Sequence, residues 1–146
     1  MSGLTREDAS FLEGVKIPLK LGALTQSGWP VIVSLWFVWR EGSLWCATQR
    51  SAKIADHLMR DSRCAFEVAP DQPPYRGIRG RATARLHPQR GEEILRVLLD
   101  KYLGGTDSPL AKRLLAKTET EVAIEVSPVS IHTWDYRERM KHSIEG

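Results

Sequence analysis

The hydrophobic positions of this chain change their spacing from segment to segment, and the changes mark out its elements. A short helix is expected over about 5–14, followed by a strand over Ile17 to Thr25. Ser27-Gly28 marks a tight turn, and Val31 to Arg40 reads as a second strand. The two-residue turn Glu41-Gly42 joins it to a third, Ser43 to Thr48. Ile54, Ala55, Leu58 and Met59 then fall at helical spacing, which predicts a helix over 52–61 with Ser51 as N-cap. Arg63 to Ala69 is a fourth strand, and Tyr75 to His87 a long fifth one. In the fifth, Ile78, Gly80, Ala82, Ala84 and Leu86 alternate with Arg79, Arg81, Thr83 and Arg85, so the two sets face opposite ways.

A helix over 89–103 carries the stripe Ile94, Leu95, Leu98, Leu99 and Tyr102 and ends at Gly104-Gly105. Another is expected from Ser108 to Lys117, capped by Ser108 with Pro109 at its first position. Two last strands, Glu121 to Val126 and Val129 to Trp134, are separated at Ser127-Pro128, and a polar tail follows from Arg137 to Lys141. Strands that follow one another in hairpins, without a helix between each pair, exclude a Rossmann-type sheet. They favour a mainly β, α+β architecture: an antiparallel barrel with inserted helices.

Size and composition narrow this only slightly. A chain of 146 residues suits one domain over 1–146, and 42% hydrophobic with 27% charged residues is ordinary for a globular protein. The net charge of +3 suits an anionic small ligand without demanding nucleic acid. The start shows no signal-peptide pattern, and the longest apolar stretch, Val31 to Trp39, is too short to span a bilayer. Two cysteines, Cys46 and Cys64, lack metal-ligand spacing and read as small buried hydrophobes of a reducing compartment, so a cytoplasmic location is expected.

Two segments carry candidate chemistry. The second strand is apolar on both faces, with Val31, Val33, Leu35, Phe37 and Trp39 on one and Ile32, Trp36 and Val38 on the other. Its second face must be covered by a partner subunit, a flat ligand or a helix of the same chain. The segment Thr48-Gln49-Arg50-Ser51-Ala52-Lys53 places two cations around the start of a helix, against the helix dipole. Either a bound anion such as a phosphate compensates, or both side chains point into water. Arg79, Arg81 and Arg85 on the outer face of the fifth strand are open to three readings: an anion site, a contact with a subunit partner, or a solvated face. The four histidines show no metal spacing, and no nucleophile elbow, Walker or dinucleotide-binding pattern occurs. The arginine-bearing strand lacks the aromatic interleaving of single-strand nucleic-acid binders.

The run Leu21-Gly22-Ala23-Leu24-Thr25-Gln26-Ser27-Gly28-Trp29-Pro30 is followed by Leu35-Trp36-Phe37, Glu41-Gly42, Leu44-Trp45, Thr48, Ser51-x-Lys53 and Asp61-x-Arg63. Tyr75-Arg76-Gly77-Ile78-Arg79-Gly80-Arg81-Ala82 comes after. In order and spacing these resemble the flavin-binding split-barrel superfamily, the pyridoxamine 5′-phosphate oxidase-like group, most densely over 17–87. The resemblance implies a six-stranded antiparallel split barrel (Greek key) with peripheral helices, forming a homodimer with two flavins between its subunits. It places Val33, Ser34, Leu35 and Trp36 along the isoalloxazine ring. Thr48, Gln49, Arg50, Ser51 and Lys53 take the ribityl chain and phosphate, and Lys53 or a fifth-strand arginine such as Arg79 offers positive charge to the reduced ring.

Two departures bear on the substrate. Ala52 precedes Lys53 where the vitamin oxidases carry an arginine, and their arginine-rich C-terminal motif has no match in Trp134-Asp135-Tyr136-Arg137. The resemblance therefore implies an FMN-binding oxidoreductase acting on another small molecule. Coenzyme F-420 is the alternative cofactor, and a flavin- or haem-binding module without turnover the alternative role. The resemblance assigns no catalytic acid or base.

Overall fold

The computed structural model describes residues 4–72 and 76–136; the polar tail and Tyr75 lie outside them. Helix α1 (Arg6–Gly14) opens with a capping box in which Thr5 and Asp8 satisfy each other's backbone N–H groups. Strands β1 (Leu19–Leu24), β2 (Pro30–Leu35), β3 (Val38–Arg40) and β4 (Ser43–Gln49) follow. Next come α2 (Lys53–Arg60), β5 (Arg63–Val68), β6 (Arg76–His87), α3 (Gly91–Leu103), α4 (Pro109–Leu115) and β7 (Glu121–Asp135). All pairings are antiparallel, and the sheet order is β2-β1-β5-β6-β7-β4-β3. The two edge strands, β2 and β3, are successive stretches of one chain, so the sheet curls into a split barrel.

The expectation of six strands is corrected to seven because the second strand breaks at Trp36-Phe37. Before the break it pairs with β1, and after it with β4. The backbone groups of Phe37 that leave the ladder are taken up by side chains of α3. Lys101 Nζ donates to Phe37 O at 2.8 Å, and the Tyr102 hydroxyl accepts from Phe37 N at 3.3 Å while donating to Ile17 O at 2.8 Å. The Tyr102 ring stacks on Trp36, with centroids 5.0 Å apart and planes 7° from parallel. Burial draws the Lys101 ammonium down to about 8. Tyr102→Phe should cost about 1–2 kcal/mol, since it orphans backbone groups at the break. A denaturant titration with an unchanged midpoint would contradict this.

The reverse correction applies at the C-terminal end. Ser127-Pro128 does not divide two strands; β7 runs through it with a bulge. Arg81 pairs with Ser130 and Ala82 with Pro128, leaving Val129 as the extra residue. A proline without an N–H is tolerated inside a central strand because the ladder slips there. The expected hairpin at Glu41-Gly42 is present, with φ of 56° and 75°, the left-handed pair that a two-residue turn between twisted strands demands.

Leu19, Leu21, Phe37, Leu44, Cys46, Phe66, Val68, Ile78, Ile124 and Val126 fill the barrel, closed by Leu12 of α1 and by Ile54 and Leu58 of α2. Outside β4 and β7, α3 lays Ile94 and Leu98 against Trp45 and Ala123, and α4 packs Ala111 on Leu95 and Leu99. The doubly apolar second strand is thus resolved in two ways. Val31, Val33, Leu35, Phe37 and Trp39 pack toward the barrel core, while Trp36 and Val38 lie under α3. Ile32 remains 71% exposed. Among the described residues, no helix is long and apolar enough to cross a membrane.

Candidate functional site

A cavity of about 580 Å³ opens between α3, α4 and the ends of β2 and β4. Its sheet side is made by Ser34, Leu35 and Trp36 at the strand break and by Ala47, Thr48 and Gln49 at the end of β4. Leu95 and Leu98 of α3 form the back, and Leu110 and Leu114 of α4 the lip. Arg113 and Lys117 supply cations, and Glu121 at the start of β7 closes one end. This is a largely apolar slot with a few polar groups at one end, the make-up of a small-molecule site. Trp36 lines it while held flat against Tyr102, a fixed aromatic platform.

The polar end is tightly organised. Gln49 Nε2 donates to Lys117 O at 3.1 Å and to Glu121 Oε1 at 2.6 Å, and Thr120 Oγ1 donates to Gln49 Oε1. Glu121 is only 7% exposed, and burial raises its carboxyl above the ordinary glutamate value, partly offset by the hydrogen bond from Gln49. Stability linked to the neutral acid is therefore full below the ordinary value and lost as pH rises through the raised one.

Of the residues expected to hold a ligand, the structure brings Ser34, Leu35, Trp36, Thr48 and Gln49 into this one wall. Val33 packs its side chain toward the barrel core. Arg50 lies at a second cavity with Asp56, Met59 and Arg85. Arg79 lies elsewhere again, over the Trp134 ring at 5.1 Å beside Ala65 and Phe66. Ser51 is not the N-cap of α2. The helix starts one residue later, and Ala52, which has no capping side chain, takes that place. Ser51 and Lys53 are exposed at this start, next in the chain to the polar end of the cavity.

Arg113, Lys117 and Glu121 were not foreseen as cavity residues. Arg113 belongs to α4 and Lys117 follows its end, so both reach the cavity through the docking of that helix, and Glu121 opens a strand, where acids are usually solvated.

Other polar groupings do not form a reactive set. Ser43, Glu125 and His87 are linked, but Glu125 stands between the other two at 2.9 Å from each, so the imidazole cannot take the Ser43 proton. Burial works against the Glu125 carboxylate, yet the bonds from His87 and Ser43 hold it below the usual range. Burial raises both thiols, Cys64 to about 11, and leaves them unreactive. Among the described residues no group of three His, Cys, Asp or Glu side chains is placed to hold a metal.

No protein-family model matches the sequence, and no curated protein matches it either. Solved structures do match in fold. A conserved hypothetical protein from Mycobacterium tuberculosis superposes with a TM-score of 0.78 at 19% identity, covering 93% of this chain and 88% of that one. An F420 reductase gives 0.75 at 21% identity, over 88% of this chain and 98% of that one. A Listeria innocua protein provisionally named a pyridoxamine 5′-phosphate oxidase gives 0.66 at 16%, over 87% and 94%. The fold of this chain is that of the pyridoxamine 5′-phosphate oxidase-like split barrels.

Proposed function

We propose that the cavity between β2, β4, α3 and α4 binds the tricyclic ring of a flavin-type redox cofactor, and that the protein is an oxidoreductase of a small molecule. The observation that carries this is the cavity itself: a flat indole platform, apolar walls and a polar end in one slot. The residues present suit such a group. Trp36 and the leucines would contact the ring, Thr48 and Gln49 the chain, and Lys53, Ser51 and Lys117 would hold a phosphate at the polar end. When bound, the cofactor supplies hydride transfer, and the protein supplies position, exclusion of water and electrostatics.

FMN is the first ligand in this proposal. The second reading, coenzyme F-420, is favoured by Arg113, a cation beyond those assigned to the phosphate, which suits an acidic tail. The likeness to an F420 reductase points the same way. We also propose a homodimer with the second copy on the outer face of β1, β2 and β5. There Ile32 stands exposed beside Lys20, Gly22 and Ala65, with Trp29 75% exposed in the turn before β2. Titrating the purified protein with FMN and with F-420, followed by cofactor fluorescence, tests the cofactor reading. Saturable binding of one of them is the expected result; binding of neither removes the proposal.

A further inference from the structure

Glu121 is the only acid among the described residues that line the cavity. One carboxyl oxygen, Oε1, is fixed by Gln49 at 2.6 Å, and Gln49 is itself fixed at both ends of its amide by Lys117 O and Thr120 Oγ1. The other oxygen, Oε2, makes no hydrogen bond among the described residues. Unlike Arg40 Nη1 and His57 Nδ1, it is not sealed away from solvent. Glu121 lines the cavity, and Oε2 is its oxygen left free for a ligand there. The main chain of Glu121 is held from behind by Gly91 at the start of α3. The charged groups sharing the cavity are Arg113 and Lys117, and neither is within ion-pair distance of the carboxyl. A carboxyl clamped by a neutral amide, largely buried and free at one oxygen is built to carry a proton rather than a charge.

We propose that Glu121 is the proton donor of this cavity, acting from Oε2 on conjugated carbonyl compounds reduced there. The proposal rests on the redox reading of the same cavity. In the reaction, a hydride from the reduced flavin or deazaflavin forms a C–H bond at the β-carbon of the acceptor. The C=C electron pair shifts to give an enolate, and the cofactor is left oxidised by two electrons. The O–H bond of Glu121 then breaks and its proton forms the C–H bond at the α-carbon; the carboxylate regains a proton from water. An acceptor whose reduced anion is stable by itself, such as a quinone, does not need this donor.

The raised carboxyl value agrees with the assignment and sets its pH dependence. The active form is the acid, so enone reduction should fall as pH rises through that value.

The test compares cyclohex-2-enone with menadione as acceptors for the wild type and Glu121→Gln, each with the reduced cofactor that binds. Glutamine keeps the oxygen that accepts from Gln49 but carries no transferable proton. The expected result is a fall of about 100-fold in the ratio of enone to menadione reduction, within the usual span of general acid catalysis. The alkaline fall of the enone profile should vanish in the variant. Equal slowing of both acceptors would make Glu121 a positioning residue and overturn the proposal. So would an unchanged pH profile. Carbon-13 NMR of the Glu121 carboxyl in the cofactor-free protein gives a readout without turnover. Titration above the ordinary glutamate range is expected, and titration within or below it refutes the donor role while leaving the redox reading intact. Failure of the wild type to bind either cofactor sinks the redox reading and the proposal together.

Discussion

Gly91→Ala should destabilise the protein by about 3 kcal/mol, at the upper end for a methyl group forced into packed structure, and lower Tm by roughly 10 °C. Local propensity gives the opposite sign. Gly91 opens α3 at φ −58° and ψ −51°, ordinary right-handed helix, where alanine is favoured over glycine by up to about 1 kcal/mol. The tertiary contact decides the outcome. A Cβ at position 91 would lie 2.0 Å from Glu121 O, 2.4 Å from Glu121 C and 2.9 Å from Val122 N. These are backbone atoms at the start of β7, where Glu121 and Val122 pair with Gln49 and Thr48 of β4, and they cannot rotate away as a side-chain end would. The start of α3 has to lift off β7, carrying Leu95 and Leu98 from the cavity wall and loosening Glu121. A thermal melt that shows Tm unchanged or raised would contradict the close approach.

The second large effect concerns ligand choice. Arg113→Ala combined with Lys117→Ala should weaken F-420 binding about 100-fold, the loss of two charge-assisted contacts, and FMN binding about tenfold. Lys117 stands at the polar end, where either cofactor presents a phosphate; Arg113 has no such partner in FMN and a natural one in an acidic tail. The difference should shrink as salt is raised, because exposed charges are screened over about 10 Å at 0.1 M ionic strength. Affinities measured by fluorescence at two salt concentrations check both statements. Equal losses for the two cofactors would remove Arg113 from any role in discrimination. Lys53→Ala is the companion variant: it probes the phosphate segment expected from sequence, where Arg50, Ser51 and Lys53 leave β4.

How much of this was legible in the sequence depends on whether the signal was local. The alternation along β6 and the apolar stripe of α3 appear where the spacing put them, with Gly104 in the left-handed C-cap. So does the turn at Glu41-Gly42, because each is set by neighbours a few residues away. The break at Trp36-Phe37 was not legible. An apolar run does not record where the backbone leaves its ladder, and the groups that make the break tolerable, Lys101 and Tyr102, come more than sixty residues later. Pro128 is a local signal for the end of a strand, whereas the strand absorbs it by slipping one residue. Ser51 was a good cap residue in the wrong place, since the chain turns once more before α2 begins.

The candidate site divides along the same line. Ser34 to Trp36 and Thr48-Gln49 are two short local runs, and both stand in the sheet wall of the cavity. Arg113, Lys117 and Glu121 reach it through the docking of α4 and the burial of the first residue of β7, neither of which leaves a mark in local spacing.

Backbone chemical shifts of the protein titrated with FMN or F-420 report most directly where the cofactor sits. Perturbed amides are expected to gather at Ser34 to Trp36, at Ala47 to Gln49 and along 110–117. Perturbations gathered instead around Arg79, Ala65 and Ser130, or around Met59 and Arg85, would place the ligand in another cavity and contradict the central claim.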